Sequence, residues 1–490
     1  MKILFVYPGY IVREVPLNLM YISAACKSAG HGCELFHFTP YKKYSWYKDA
    51  GSRIERAFME KIGSYKPDIV AFSVIIQDYD ITRRLSSISK NRFSLPVIWG
   101  GIQPILEPER SIAEEGVDYI CTGEGEQVFV EFLSRLENQK DVHNIEGIWA
   151  KDKQNNIHRN GCPRLIDNLD NLPFPDRDLF GPEYYRAELT GANILTARGC
   201  PFLCSFCQNK ALMEHYKGRG RFVRYRSIEN VLSEIEHVID RYQAPSFYFS
   251  DEMFTLNRQR AMDFCKEYKK RIKKPFMIQT RADYMDTQLA KELAGAGCFM
   301  VNMAIESGNE YIRNTILKKN ISTERIVDAY KIVHKHGMMS ASFNMIGVPT
   351  ETVRNIWETI EINRRLRPDR IMCSIFMPLP GTELGYYCRR QGLVAGDAAG
   401  TTNYYSQVIV DNPNISARTL MGYQGFFDWF ILLPRWLFWL AHIFRLAYQS
   451  GVSPKIPGNL IIKNIREITI EKVYQMKRFL PRRRLHLKTR

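Results

Sequence analysis

The chain opens on an apolar run and repeats one theme five times: a short apolar stretch, a turn, then a longer amphipathic stretch. The apolar runs are KILFVYP, CELFHF, DIVAFSVI (68–75), LPVIWGG (95–101) and YICTGEGE (119–126). Helical patterns separate them, such as Leu17–Ser28 ahead of Gly30, and VFVEFLSRL after the fifth run. Apolar runs alternating with helices predict a doubly wound parallel sheet over residues 1–150. Ligands of such sheets lie beyond the carboxyl ends of the strands. Here those ends bring Ser73, Gly100, Gly101, Gly123 and Glu124. Residues 151–190 are polar and then proline-rich (NLPFPDRDLFGPEYY), which predicts a linker.

A second series of strands begins at ANILTARGC. Its apolar runs are ILTAR, SFYFSD, FMIQTRA, FMVNMAIES, MSASFNMIG and RIMCSIFMP. Six parallel strands with helices between them predict a partial (β/α)6 barrel over residues 191–400, short of the closed eight-stranded form. No internal repeat is present, which excludes a solenoid. Residues 401–490 change character and predict a helical extension. Its stretch 424–448 is rich in tryptophan and phenylalanine but is interrupted by Asp428, Pro434, Arg435, His442 and Arg445. No uncharged apolar run reaches the ~18 residues a bilayer span needs. The spacing of Arg435, His442 and Arg445 predicts one polar helix face, hence a helix lying in an interface.

Composition adds three points. The 490 residues are 45% hydrophobic and 24% charged, ordinary for a globular chain of two or three domains. The net charge of +16 is uneven: the last fourteen residues, KRFLPRRRLHLKTR, carry seven Lys or Arg and no acid. Such a tail beside an aromatic segment suits an anionic membrane at least as well as a nucleic acid. The start of the chain has no apolar stretch of signal-peptide length, which predicts a cytoplasmic protein, peripheral on the inner face of the membrane if the tail is used that way. Eleven cysteines, an odd number scattered over a long chain, argue against a disulfide scaffold. Cys26, Cys33, Cys121, Cys265 and Cys298 read as small core residues.

The remaining chemistry lies in ARGCPFLCSFCQNK, where Cys200, Cys204 and Cys207 form C-x-x-x-C-x-x-C directly after an apolar strand. Three closely spaced thiolates suit three irons of a [4Fe–4S] cube, leaving the fourth iron open to a substrate. Structural zinc wants four ligands, and no fourth Cys or His stands nearby at finger-like spacing.

Residues 190–385 resemble the radical S-adenosylmethionine (SAM) superfamily. Phe206 matches the aromatic before the third cysteine, and Asp251-Glu252 in SFYFSDEMFTLN stand at the acidic motif that receives the SAM amino group. Arg281 in QTRAD matches a third-strand arginine. AIESGNE, with Glu306 and Ser307, looks like the fourth-strand motif, and MIGVPTET, with Gly347, like the turn near adenine and ribose. The first 150 residues resemble the Rossmann-like cobalamin-binding domain found ahead of the barrel in one large class of that superfamily. PLNLMYISAACKSAGH, WGGIQPILEPE and YICTGEGEQVF carry this likeness. Ser73, Gly100, Gly101, Gln103, Gly123 and Glu124 are its implied cobalamin contacts. The D-x-H-x-x-G cobalt-ligand fingerprint is absent; Asp141-Val142-His143 begins like it, but the next glycine, Gly147, falls one residue late.

The resemblance implies an enzyme with a [4Fe–4S] cluster, SAM and cobalamin, fed by a flavodoxin- or ferredoxin-type electron donor. It implies functionalisation of an unactivated carbon, most often C-methylation, with ring closure or oxygen insertion as alternatives. The aromatic helix and basic tail point to a lipid or isoprenoid substrate, with a natural-product scaffold as the alternative. RNA methylthiolation would need a second three-cysteine cluster that Cys26, Cys33 and Cys121 do not space out, and a binding-only sensor would not need the intact cysteine loop.

Overall fold

In the computed structural model the described residues are 1–7, 16–37, 50–181, 185, 191–394 and 407–449. The basic tail and the rest of 450–490 lie outside them.

The front domain is built on a seven-stranded sheet: β1 (Lys2–Tyr7), β2 (Gly32–His37), β3 (Ile69–Ser73), β4 (Val97–Gly100), β5 (Tyr119–Cys121), β6 (Ile148–Lys151) and β7 (Ile157–His158), in the order β2-β1-β3-β4-β5-β6-β7. The first five are parallel. Alternation along β1 explains the double winding: Ile3 and Phe5 pack with Leu19, Phe129 and Phe132 on one face, whereas Leu4 and Val6 pack with Phe58 and Leu85 on the other. The sheet continues past residue 150, into the segment read as linker, because β6 and β7 add an antiparallel edge. At four and two residues, IWAK and IH, they are too short to stand out in a search for apolar runs.

The rest of that linker is a seam. Tyr21 of the helix Leu17–Ser28 packs with Ile166, Leu169 and Leu172, and Ser23 donates to Asp176 at 2.6 Å. Arg177 and Arg226 both pair with the buried carboxylate of Glu234.

The barrel has six parallel strands, as the sequence predicts: β8 (Ala192–Ile194), β11 (Phe247–Phe249), β12 (Phe276–Thr280), β13 (Cys298–Glu306), β14 (Met339–Ile346) and β15 (Arg370–Ile375), in the order β15-β14-β13-β12-β11-β8. The run ILTAR divides. Its end leaves the barrel as β9 (Ala197–Arg198), paired antiparallel with β10 (Arg224–Tyr225). That departure carries the cysteine loop over the mouth of the barrel.

The aromatic extension is not one helix. Pro434 separates Phe427–Leu432 from a 3₁₀ turn, Arg435–Leu437, and the helix Phe438–Gln449. The predicted polar face is corrected with it. Arg435 pairs with Glu361, the Arg445 guanidinium lies over the Tyr423 ring, and His442 packs on Trp357 and Phe430. Arg445 and His442 turn inward onto aromatic rings and Arg435 stays exposed in its ion pair, while Trp436, Trp439, Ile443 and Leu446 are left exposed. Among the described residues no helix is long and apolar enough to cross a membrane.

Candidate active site between the two sheets

The cysteine loop starts at a residue that must be glycine. Gly199 has φ +90°, and a Cβ there would lie 2.3 Å from the Phe222 carbonyl oxygen. Ser205 then pins the loop to the barrel, its N–H donating to Leu317 O and its hydroxyl to Ile316 O. Cys207 immediately precedes the helix Gln208–His215.

Burial raises all three thiols, Cys200 to about 11. Cys204 acts electrostatically on both Cys200 and Cys207, and Cys207 on Cys200, so the three lie near one another. Backbone N–H groups of Phe202 and Asn209 point at Cys200 and Cys207, and the positive charges of Lys319 and Arg281 act on Cys204. Among the described residues no three Cys, His, Asp or Glu side chains converge on a single ion-sized point. Thiolates on three separate irons of a cube stand apart, so this donor set fits a cluster. The protons must leave when iron binds.

The other expected SAM residues ring the same mouth with unequal roles. Asp251 is buried and spent on structure, accepting from Thr196 N at 2.6 Å, from the Thr196 hydroxyl and from Ala197 N. Its neighbour Glu252 lines the large cavity described below, where backbone N–H groups, that of Gly199 among them, reach its carboxylate and burial raises its pKa. Glu306 sits at a register shift of β13 with φ +66°, strained for a non-glycine residue, and pairs with buried Lys319 at 2.9 Å. Arg281 donates to the Lys319 carbonyl at 2.8 Å, is clamped by Asp283 and stacks on the Phe202 ring 3.8 Å away. Ser307 is fully buried, its carbonyl accepting from Arg313. Phe206 packs in the cluster that holds Val348, next to Gly347.

Two cavities lie at the carboxyl ends of the front strands. One, of about 60 Å³, is a mostly apolar slot within the front domain, with Ser73, Gly100, Gly101 and Gly123 on its walls. The other, of about 330 Å³, lies between the domains: Gly101, Gly123 and Glu124 line one side, and Gly199, Arg198 and Glu252 the other. A flat ring with a slender tail suits a wide gap opening into a narrow slot, so these residues fit cobalamin. Two of the implied contacts have other partners. Gln103 is buried and donates to Glu107 at 2.7 Å. Glu124 accepts from Arg198, from Arg224 and from Ile166 N, bridging front domain, linker and barrel. Burial opposes the charge of Glu124, and the guanidiniums, Arg224 foremost, overcome this and hold its carboxyl below the ordinary range.

Sequence reading missed Lys319, hidden in the charged run LKKN, and Asn18, which lines both cavities. Only the register of a folded chain sets them apart from surface residues.

The Radical SAM superfamily matches residues 194–362 and the B12 binding domain residues 11–133. An uncharacterized methyltransferase of Pyrococcus horikoshii is 30% identical over 71% of this chain and 74% of its own. A hopanoid C-3 methylase of Methylococcus capsulatus is 23% identical, covering 80% and 73%. The fold is shared with the radical S-adenosylmethionine methyltransferase TsrM of Kitasatospora setae, solved with cobalamin and a [4Fe–4S] cluster bound. The TM-score is 0.63 at 19% identity, covering 85% of this chain and 83% of the other.

Proposed function

Because this chain belongs to the radical SAM superfamily and carries a B12-binding domain ahead of its barrel, we propose that it transfers a methyl group to an unactivated carbon of a lipid or isoprenoid. The observation that carries the reading is the chamber between the domains, with Arg198, Gly199 and Asn209, which flank the cysteine loop, on one wall and the glycine-lined strand ends of the front domain on the other. The bound cluster and SAM would supply radical initiation, and cobalamin the methyl group.

The chain's own residues bind, orient and shield. Cys200, Cys204 and Cys207 hold the cluster, and Glu252 receives the SAM amino group. Lys319, partnered by Glu306, offers a positive charge toward the carboxylate end. Phe206 and the Gly347 turn flank the adenosyl group. Ser73, Gly100, Gly101 and Gly123 let the cobalamin approach the front strands closely. Glu124, through Arg198 and Arg224, fixes the distance between the domains and so keeps water out of the chamber. A flavodoxin- or ferredoxin-type donor supplies the electron.

The extension supports this substrate class and a place at the membrane. Trp436 and Trp439 are 74% and 55% exposed, and Ile443 and Leu446 continue their stripe. Residues 450–490 carry eleven Lys or Arg against two acids. Exposed tryptophans followed by a cationic tail suit the anionic cytoplasmic face of a membrane, where a lipid substrate would be met. Replacing both tryptophans with serine should weaken binding to phosphatidylglycerol vesicles more than deleting 477–490 weakens binding to neutral ones.

The decisive experiment is anaerobic reconstitution with iron and sulfide, followed by incubation with SAM, methylcobalamin, a membrane-lipid extract and a reductant (reduced flavodoxin or dithionite) that supplies the electron. It should give 5′-deoxyadenosine and a lipid heavier by one methylene. A product lighter by two hydrogens would indicate ring closure instead, and no 5′-deoxyadenosine would sink the radical reading.

A further inference from the structure

The C-terminal extension reaches the barrel mouth from behind. At the end of β14 the chain turns through Gly347–Glu351, with φ +83° at Gly347 and +75° at Thr350. A threonine in that conformation must be held there by its surroundings. Part of the hold is internal: Glu351 accepts from Gly347 N at 2.5 Å, and its own N–H donates to Val348 O. The rest comes from the extension. Asn412 is buried, and its side-chain amide donates to Val348 O at 2.9 Å and to Glu351 O at 3.3 Å. Its side-chain oxygen accepts from Asn414 N, and Asn414 donates in turn to Thr350 O at 3.2 Å. Leu420 closes the back of the turn, 3.2 Å from where a Gly347 Cβ would stand.

We infer that the extension is part of the SAM site, with Asn412 as the positioning residue that holds the Gly347–Glu351 turn in shape for the adenosyl group. This rests on the proposed placement of SAM against that turn. Val348 O, which also takes the Glu351 N–H, and Glu351 O are both tied to one side chain from a segment about sixty residues on. Asn412 has no contact with SAM itself in this reading. It lowers the cost of ordering the turn when SAM arrives, so its loss should appear in SAM affinity and turn mobility, not in cluster assembly.

The test uses the full chain, reconstituted with its cluster, with SAM affinity measured by equilibrium dialysis and backbone amide exchange followed over residues 347–352. Asn412→Ala and the isosteric Asn412→Asp should each weaken SAM by about tenfold, while iron content stays at the wild-type level. Amides of the turn should exchange faster. Asn414→Ala, at an exposed position that folds regardless, should weaken SAM by about threefold. Gly347→Val is the control for the underlying reading. If Gly347→Val loses SAM while the asparagine variants bind and exchange like wild type, the inference is overturned. If Gly347→Val also binds SAM normally, the turn does not meet the adenosyl group, and the site reading falls with it.

Discussion

The two sheets present the same architectural feature, the carboxyl ends of parallel strands, and furnish it in opposite ways. In the front domain those ends carry Ser73, Gly100, Gly101 and Gly123 beside apolar neighbours such as Phe5, Ile22 and Phe129. In the barrel they carry thiols, carboxylates and cations: Cys200 and Glu252, Arg281, and the strained Glu306 against Lys319. A mostly apolar, glycine-lined surface suits a large ligand held by shape. A crowded, charged surface holds a small zwitterion and a metal cluster by ligation and ion pairing. Glu124 joins the two: it grows from the glycine-lined end, and its carboxylate serves the barrel's arginines.

The strongest break in this contrast is Cys204→Ala. It should abolish the cluster's absorption and SAM cleavage together while leaving cobalamin retained by the front domain; retained cleavage would remove Cys204 from the ligand set. Next comes Glu124→Ala, which takes the carboxylate partner from buried Arg224 while Arg198 keeps Glu126, and should cost about 3 kcal/mol in chemical denaturation. An unchanged midpoint would mean that the domains are held apart by other contacts.

A smaller effect sharpens the front half alone. Asp78 is buried with one carboxylate oxygen unpartnered, and burial lifts its pKa to about 7. The folded state therefore binds this proton more tightly than the unfolded chain does. Its contribution is fully present below pH ~4 and is lost as the pH climbs through about 7. Asp78→Asn should flatten that decline, with a gain of about 2 kcal/mol at pH 8. Parallel stability–pH curves for the two proteins would refute it. The mildest change is Asn18→Trp, at an exposed helical position beside both cavities. It should lower cobalamin affinity by about tenfold and leave 5′-deoxyadenosine formation in place. Equal loss of both would mean that cobalamin and SAM do not bind independently in the chamber.

Much of this protein was legible in order along the chain. Apolar runs of four to nine residues declare buried parallel strands, because only a strand covered on both faces is apolar throughout. Six of them after residue 190, and the spacing of Cys200, Cys204 and Cys207, are local patterns that need no partner to be recognised. What could not be read were relations between distant segments. Asp251 and Glu252 are adjacent acids, yet folding ties one to Thr196 and turns the other toward the chamber. Glu124 looks like a ligand contact until Arg198 and Arg224 are brought to it. Arg445 and His442 look like a solvent face until Tyr423 and Phe430 of the extension and Trp357 of the barrel claim them. Side-chain periodicity is a property of one segment and is already present in the sequence. Which neighbour neutralises a charge, fills a cavity or holds a turn depends on long-range packing, and that was decided only when the two sheets, the linker and the extension closed on one another.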